Sequence, residues 1–126
     1  MPTLDDYRAA AELREALRRF ARESERISRS HGLTPQRYQL LLMIKAAGGT
    51  ATVTSLIDSL QLGQSGVTQL VQRAEALGLI ERRAVREDAR SQWLTLTRKG
   101  DRILARVFTE LGPERDRLVA ALNPTS

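Results

Sequence analysis

Residues 62–100 contain the pattern that most restricts the fold of this chain. They read as a helix with one polar face, a Leu77-Gly78 turn, a short strand, an Arg-rich loop, a second strand and a new helix opening at Thr97. Two strands joined by a basic hairpin behind such a helix are the element order of a winged helix-turn-helix. We therefore predict a mainly α, dimeric fold of about six helices with one short β-hairpin wing.

Helix start and stop signals divide the rest of the chain in the same way. Thr residues stand before apolar-periodic stretches, where a hydroxyl caps free backbone N–H groups, and Gly or Pro follows most of these stretches. The predicted N-caps are Thr3, Thr34, Thr52 and Thr97; the predicted stops are His31-Gly32, Gly48-Gly49, Gly78 and Gly112-Pro113. For the hairpin we predict a strand over residues 79–83, a nine-residue loop, and a strand over residues 93–96 with Leu94 and Leu96 inward.

The helix that begins at Gln64 is the first candidate binding surface. Its apolar stripe leaves a weakly charged opposite face, and short hydroxyls and amides at a helix N-terminus suit phosphates and base edges. An equally ordinary interpretation is a polar face that only contacts solvent. The candidate residues on this helix are Gln64, Ser65, Gly66, Thr68, Gln69 and Arg73.

The hairpin loop is the second candidate surface, with Arg86, Asp88 and Arg90 as its candidate residues. A guanidinium at a hairpin tip suits the minor groove of DNA, where close phosphates concentrate negative potential. The alternative is a charged, solvated loop, which is the commoner meaning of such clusters. Of the 20 basic residues only Lys45 and Lys99 are Lys. This Arg bias suits DNA contacts, but a GC-rich coding sequence produces it too.

Composition excludes several other classes. The chain has 126 residues, a net charge of +5, no Cys and a single His, His31. The lack of Cys excludes disulfides and thiolate metal sites, and His31 has no sequence-level catalytic partner. We expect no enzyme activity, cofactor or metal. No apolar run is long enough for a membrane span and no signal peptide is apparent, so we expect a cytoplasmic protein without membrane contact.

The chain ends carry apolar stripes that a small core leaves uncovered. The first helix places Tyr7, Leu13, Leu17 and Phe20 on one side, and the last two helices add Val107, Phe108 and Leu118. A second copy of the chain is the expected partner. We predict one domain over residues 1–126, in which residues 1–32 and 101–126 dimerise and residues 34–100 bind DNA.

The residues also resemble a known family. The run Leu79-Ile80-Glu81-Arg82-Arg83 followed by Asp88-x-Arg90-x-x-x-Leu94-x-Leu96-Thr97-x-x-Gly100 is similar to the wing of the multiple-antibiotic-resistance-regulator (MarR) family. Leu33-Thr34-Pro35 with Tyr38, Val53-Thr54-Ser55-Leu56 and Val67-Thr68-Gln69-Leu70-Val71 resemble its other segments, in the same order. Gly63 stands where members usually have Ser or Thr, and Gly66 where they favour Ala or Thr.

The resemblance implies a function. The helix from Gln64 would be the recognition helix, Arg90 the minor-groove residue of the wing, and Asp88 its orienting partner. The chain would be a double-stranded DNA-binding repressor that recognises a pseudo-palindromic operator as a homodimer, with scope for release by a small aromatic effector. The alternative is a winged-helix protein-interaction module without specific DNA binding.

Overall fold

The computed structural model describes residues 1–85 and 88–123, and for residues 84, 85 and 88–91 it describes the backbone alone. Within that part of the chain, six helices surround one small sheet. In chain order the elements are α1 (Leu4–Ser30), α2 (Pro35–Ala46), β1 (Thr50–Thr52), α3 (Val53–Leu60), α4 (Gln64–Ala76), β2 (Ile80–Val85), β3 (Asp88–Leu96), α5 (Arg98–Glu110) and α6 (Gly112–Leu122). The predicted winged helix-turn-helix architecture is confirmed.

The four predicted Thr caps all form. Thr3, Thr34, Thr52 and Thr97 each accept a hydrogen bond from the backbone N–H three residues ahead, at 3.0–3.2 Å. Such a cap typically stabilises a helix by about 1 kcal/mol. The N-cap position of α4 is instead occupied by Gly63, which offers no side-chain cap. Local sequence therefore fixes the start of four helices independently of the tertiary fold.

The sheet differs from the prediction in two respects. It has three strands in the antiparallel order β1-β3-β2, and the short strand β1 was not predicted. The prediction of a nine-residue hairpin loop was wrong, because β2 continues to Val85 and β3 begins at Asp88. This outer part of the hairpin has no apolar alternation, which usually reports a strand with one buried face. Backbone pairing alone extends it, with an irregular register between Ala84 and Val85.

The core forms around α2. Leu40, Leu41 and Ile44 have no exposed surface, and α4 presents Val67 and Val71 to the same cluster. Leu94 of β3 is fully buried and Leu96 packs at the edge of the core, as the inward alternation predicted. This packing fixes α4 by its apolar side and leaves its polar side outward.

The junction of β2 with α5 explains the Thr97-x-x-Gly100 part of the sequence pattern. The Thr97 hydroxyl donates to the Gly78 carbonyl at 2.6 Å and accepts from the Gly100 N–H. The backbone N–H of Thr97 donates to the carbonyl of Leu79. A Cβ at Gly100 would overlap that same Leu79 carbonyl oxygen. Only glycine allows the first turn of α5 to approach the strand this closely.

The two ends of the chain pack on each other and remain largely exposed. Arg19 of α1 donates from Nε to Glu114 Oε2 of α6 at 3.1 Å, and Arg115 lies 3.7 Å above the Phe108 ring. Within the described residues, α1 buries only Ile27 and Ser28, and α6 buries none. Val107 was expected on the outer stripe, but it is fully buried in the core and cannot reach a partner.

Candidate nucleic-acid interface

The helix α4 presents its polar side to solvent. Val67, Leu70, Val71 and Ala74 hold the other side in the core. The predicted candidates Gln64, Ser65, Gln69 and Arg73 are exposed, while Gly66 and Thr68 are half-buried at the two edges of this face. The first turn of α4 contains no acidic residue, so no carboxylate opposes the positive end of the helix dipole. The arrangement suits contact with a negatively charged or acceptor-rich surface.

A groove borders α4 on the side of α2. We call it the α2–α4 groove; its volume is about 500 Å³. Basic side chains from three helices stand around it, and its apolar lining comes from α2, α4 and the preceding turn. The lining residues are Arg29, Thr34, Pro35, Gln36, Arg37, Leu62, Gly66, Gln69, Leu70 and Arg73.

A second groove borders α4 on the side of the hairpin. We call it the wing groove; its volume is about 390 Å³. It is lined by Thr52, Val53, Thr54, Gln64, Thr68, Arg82 and Gln92. The α3 start, the α4 start and the base of the wing therefore meet at one polar surface, and Arg82 is its basic side chain.

Arg82 is held in place by two neighbours. Its Nε lies 3.2 Å from both carboxylate oxygens of Glu75 on α4, and its Nη1 donates to Gln92 Oε1 on β3 at 2.9 Å. These contacts connect α4 to both strands of the hairpin, β2 and β3. They also fix a guanidinium, which has five donors, beside the wing groove.

The wing residues are only partly located. Asp88 and Arg90 lie in β3, but their side chains are outside the described part of the structure, and Arg86 is outside it altogether. The predicted contact between Asp88 and Arg90 is therefore untested. The sequence interpretation missed Arg29, Arg37 and Arg82. Arg37 follows the Thr34 cap by three residues, but only the folded chain places it beside α4.

His31 has a partner that the sequence did not reveal. Its Nε2 lies 2.6 Å from Glu110 Oε2, 79 residues away at the end of α5. His31 also forms the C-cap of α1, as predicted. In the described part of the chain, no group of three or more His, Asp or Glu residues is arranged to hold a metal ion. Nor does any helix there have the length and apolarity to cross a membrane.

Comparisons with known proteins show which family the chain resembles. The family model described as MarR family matches residues 31–91, which span α2 to the wing. A crystal structure of a MarR family transcription regulator matches with a TM-score of 0.76 and 28% sequence identity, over 95% of this chain and 77% of that chain. Residues 31–91 therefore match the MarR family, and the fold of nearly the whole chain is that of a MarR family transcription regulator. No curated protein sequence gives a significant match.

Two further solved structures resemble this chain. The transcriptional regulator Tm0710 from Thermotoga maritima is 29% identical, with a TM-score of 0.68, over 87% of this chain and 77% of that one. A Cys-to-Ser variant of MarR from E. coli, in complex with operator DNA, is 18% identical with a TM-score of 0.73, over 93% and 85% of the two chains. At that lower identity the similarity to E. coli MarR is one of fold.

Proposed function

We propose that this protein is a transcriptional repressor that binds a pseudo-palindromic DNA duplex as a homodimer. One observation carries the proposal: the polar face of α4 lies between two grooves, one lined by three Arg side chains and the other by one, in a fold whose E. coli relative holds operator DNA. In this proposal Gln64, Ser65, Thr68 and Gln69 face base edges in the major groove. The similarity to a family of transcription regulators also supports the expectation of a non-enzymatic, cytoplasmic protein.

The salt dependence of duplex binding tests this function. Duplexes selected from a random library should contain two half-sites about one helical turn apart. The logarithm of their affinity should fall with the logarithm of salt concentration, with a slope of about −0.9 for each phosphate contacted. Affinity that stays flat with salt for every duplex would contradict DNA binding and favour the protein-interaction module.

For the wing, we propose that Arg90 enters the minor groove and that Asp88 orients it, with Arg86 nearby. Arg90→Ala should then weaken binding and reduce the salt slope by about one unit per half-site. Asp88→Ala is the sharper test, because removal of a carboxylate reduces repulsion from DNA, whereas loss of orientation weakens binding. Tighter binding by Asp88→Ala would exclude the orienting role, and a double-mutant cycle with Arg90→Ala measures the coupling.

The homodimer is supported by apolar side chains that a single chain leaves in solvent. They lie on the terminal helices and are large: Tyr7, Leu13, Leu17, Phe108, Val119 and Leu122, each at least 37% exposed. Such a concentration is unusual for a monomer and typical of an interface. In this proposal residues 1–32 and 101–126 dimerise, and residues 34–100 bind DNA.

A pocket between α2 and α5 supports the proposal of a small aromatic effector. Its volume is about 330 Å³, and the ion pair of Lys45 with Asp101, at 2.8 Å, lies beside it. The lining is mostly apolar: Leu42, Lys45, Ala46, Asp101, Leu104, Ala105, Phe108 and Thr109. In this proposal a small aromatic acid places its ring on the apolar lining and its carboxylate near the Lys45 ammonium, which it shares with Asp101. Hydroxybenzoates should lower duplex affinity of the wild type and have no effect on Ala105→Phe, in which the added ring fills the pocket.

A further inference from the structure

The two edges of α4 face different parts of the protein. Gly66, Gln69 and Arg73, spaced by three and four residues, form the edge along the α2–α4 groove. Gln64 and Thr68, spaced by four, form the edge along the wing groove. The base-reading face proposed above consists of Ser65 between these two edges and of Gln64, Thr68 and Gln69 on the edges themselves. The α2–α4 groove is thus lined by the guanidinium groups of Arg29, Arg37 and Arg73, whereas the wing groove has Arg82, which is paired with Glu75.

The cations of the α2–α4 groove lack strong partners. Among the described residues, Arg37 and Arg73 make no ion pair. Arg29 contacts Glu25 at 3.0 Å, but the two side chains are 59% and 52% exposed. Such an exposed pair contributes only about 0–1 kcal/mol and is readily exchanged for another anion. The described residues lining the groove include no Asp or Glu.

The lining of the α2–α4 groove favours a nucleic-acid backbone over an isolated ion. Pro35, Leu62 and Leu70 supply apolar surface in the same groove as the guanidinium groups, and the apolar sugar faces of a DNA strand suit such a surface. Guanidinium groups pair well with phosphate oxygens. The groove is thus complementary to a sugar–phosphate strand in both charge and polarity.

We propose that the α2–α4 groove holds one strand of the DNA backbone, with Arg37 as its main phosphate ligand and Arg29 and Arg73 beside it. This proposal rests on the function proposed above. A major groove is about 12 Å wide and an α-helix with its side chains nearly fills it, so a phosphate strand must run along each edge of α4. The α2–α4 groove is the seat of one strand, and Arg37 extends the DNA contacts beyond α4 and the wing.

The first test is Arg37→Ala in the full chain. Because Arg37 contacts phosphate and no base, this variant should bind operator and random duplexes about tenfold more weakly, by a similar factor for both. The salt slope of the dimer should fall by about two units, one for each half-site. The Thr34 cap survives this substitution, because the Thr34 hydroxyl accepts its hydrogen bond from the backbone N–H of Arg37. Arg37→Lys should retain the slope.

The matched control is Arg8→Ala. Arg8 is an exposed residue of the same helix as Arg29, paired only with Asp5 among the described residues. It lies about 30 Å from Arg29 along the helix axis, at 1.5 Å per residue. Loss of the same charge there should leave the slope within experimental error of the wild type. Equal effects of Arg8→Ala and Arg37→Ala would reduce the proposal to net charge and overturn it.

A neutral-phosphate scan identifies the contact. Methylphosphonate is placed singly along each strand of the selected duplex, and affinity is measured for the wild type and for Arg37→Ala. At one backbone position beside each half-site, substitution should weaken the wild type but have no effect on the variant. If every position weakens both proteins equally, the groove holds no phosphate. Salt-independent binding by the wild type would instead contradict the proposed function itself.

Discussion

Two glycines in helices illustrate opposite constraints at the scale of single residues. A Cβ at Gly100 would overlap the Leu79 carbonyl oxygen, and neither backbone can move without breaking the Thr97 contacts. We expect Gly100→Ala to lower the free energy of unfolding by about 1–3 kcal/mol. Urea denaturation at fixed protein concentration measures this, since the stability of the proposed dimer would depend on concentration. An unchanged midpoint would contradict the close approach of α5 to β2.

Gly66 is the matched control and carries its own prediction. Its nearest neighbour for a Cβ is Leu62 Cβ at 3.7 Å, an ordinary contact. Gly66→Ala should therefore raise the free energy of unfolding by about 0.5–1 kcal/mol, because alanine favours a helix. The same variant tests whether the α4 backbone approaches DNA closely. A higher free energy of unfolding together with weaker duplex binding would support a close approach, whereas unchanged duplex affinity would exclude it.

At the scale of elements, the Arg19–Glu114 contact joins α1 to α6. The pKa of Glu114 lies below its ordinary value of 4.5, chiefly because its carboxylate accepts hydrogen bonds from Arg19. A carboxyl whose pKa is lower in the folded than in the unfolded protein stabilises the fold at pH values above its pKa in the unfolded chain. This contribution is lost as the pH falls through its pKa in the folded protein. Arg19→Gln should therefore speed amide exchange in α6 at pH 7, with a smaller effect at pH 3, where more of Glu114 is protonated.

The control for this prediction is Arg8→Gln, which removes the contact with Asp5 in the first turns of α1. It should leave α6 exchange unchanged at both pH values. An Arg19→Gln effect of equal size at pH 7 and pH 3 would show that the contact acts through packing and that the charge of Glu114 is irrelevant.

The elements predicted from sequence are those with local causes. Thr caps and apolar stripes act over a few residues, and so all six helices were predicted correctly. The strand β1 pairs through Ala51 with Leu94, far along the chain, and three residues carry no periodicity of their own. The α2–α4 groove was missed for the same reason, because Arg29 and Arg37 meet α4 only in the folded chain.

At the scale of the whole molecule, exposure decides which residues suit a test of dimerisation. A deletion of residues 1–30 would remove Ile27, which is 2% exposed and belongs to the core of a single chain. Leu13 and Leu17 are 37% and 46% exposed. Substitutions at these two positions therefore test the proposed interface between copies without opening the core.

We expect Leu13→Glu with Leu17→Glu to give a folded monomer. Carboxylates in an apolar interface lose hydration without gaining partners, and the cost doubles across a two-fold axis. Sedimentation equilibrium measures the mass, and circular dichroism checks the helix content. The monomer should bind a single half-site with about half the salt slope of the dimer, because it contacts half the phosphates.

The control Leu77→Glu changes a leucine of similar exposure, 42%, outside the terminal helices and should remain dimeric. A well-folded dimer from the double variant would place the interface elsewhere, whereas a monomeric Leu77→Glu would place it near the end of α4.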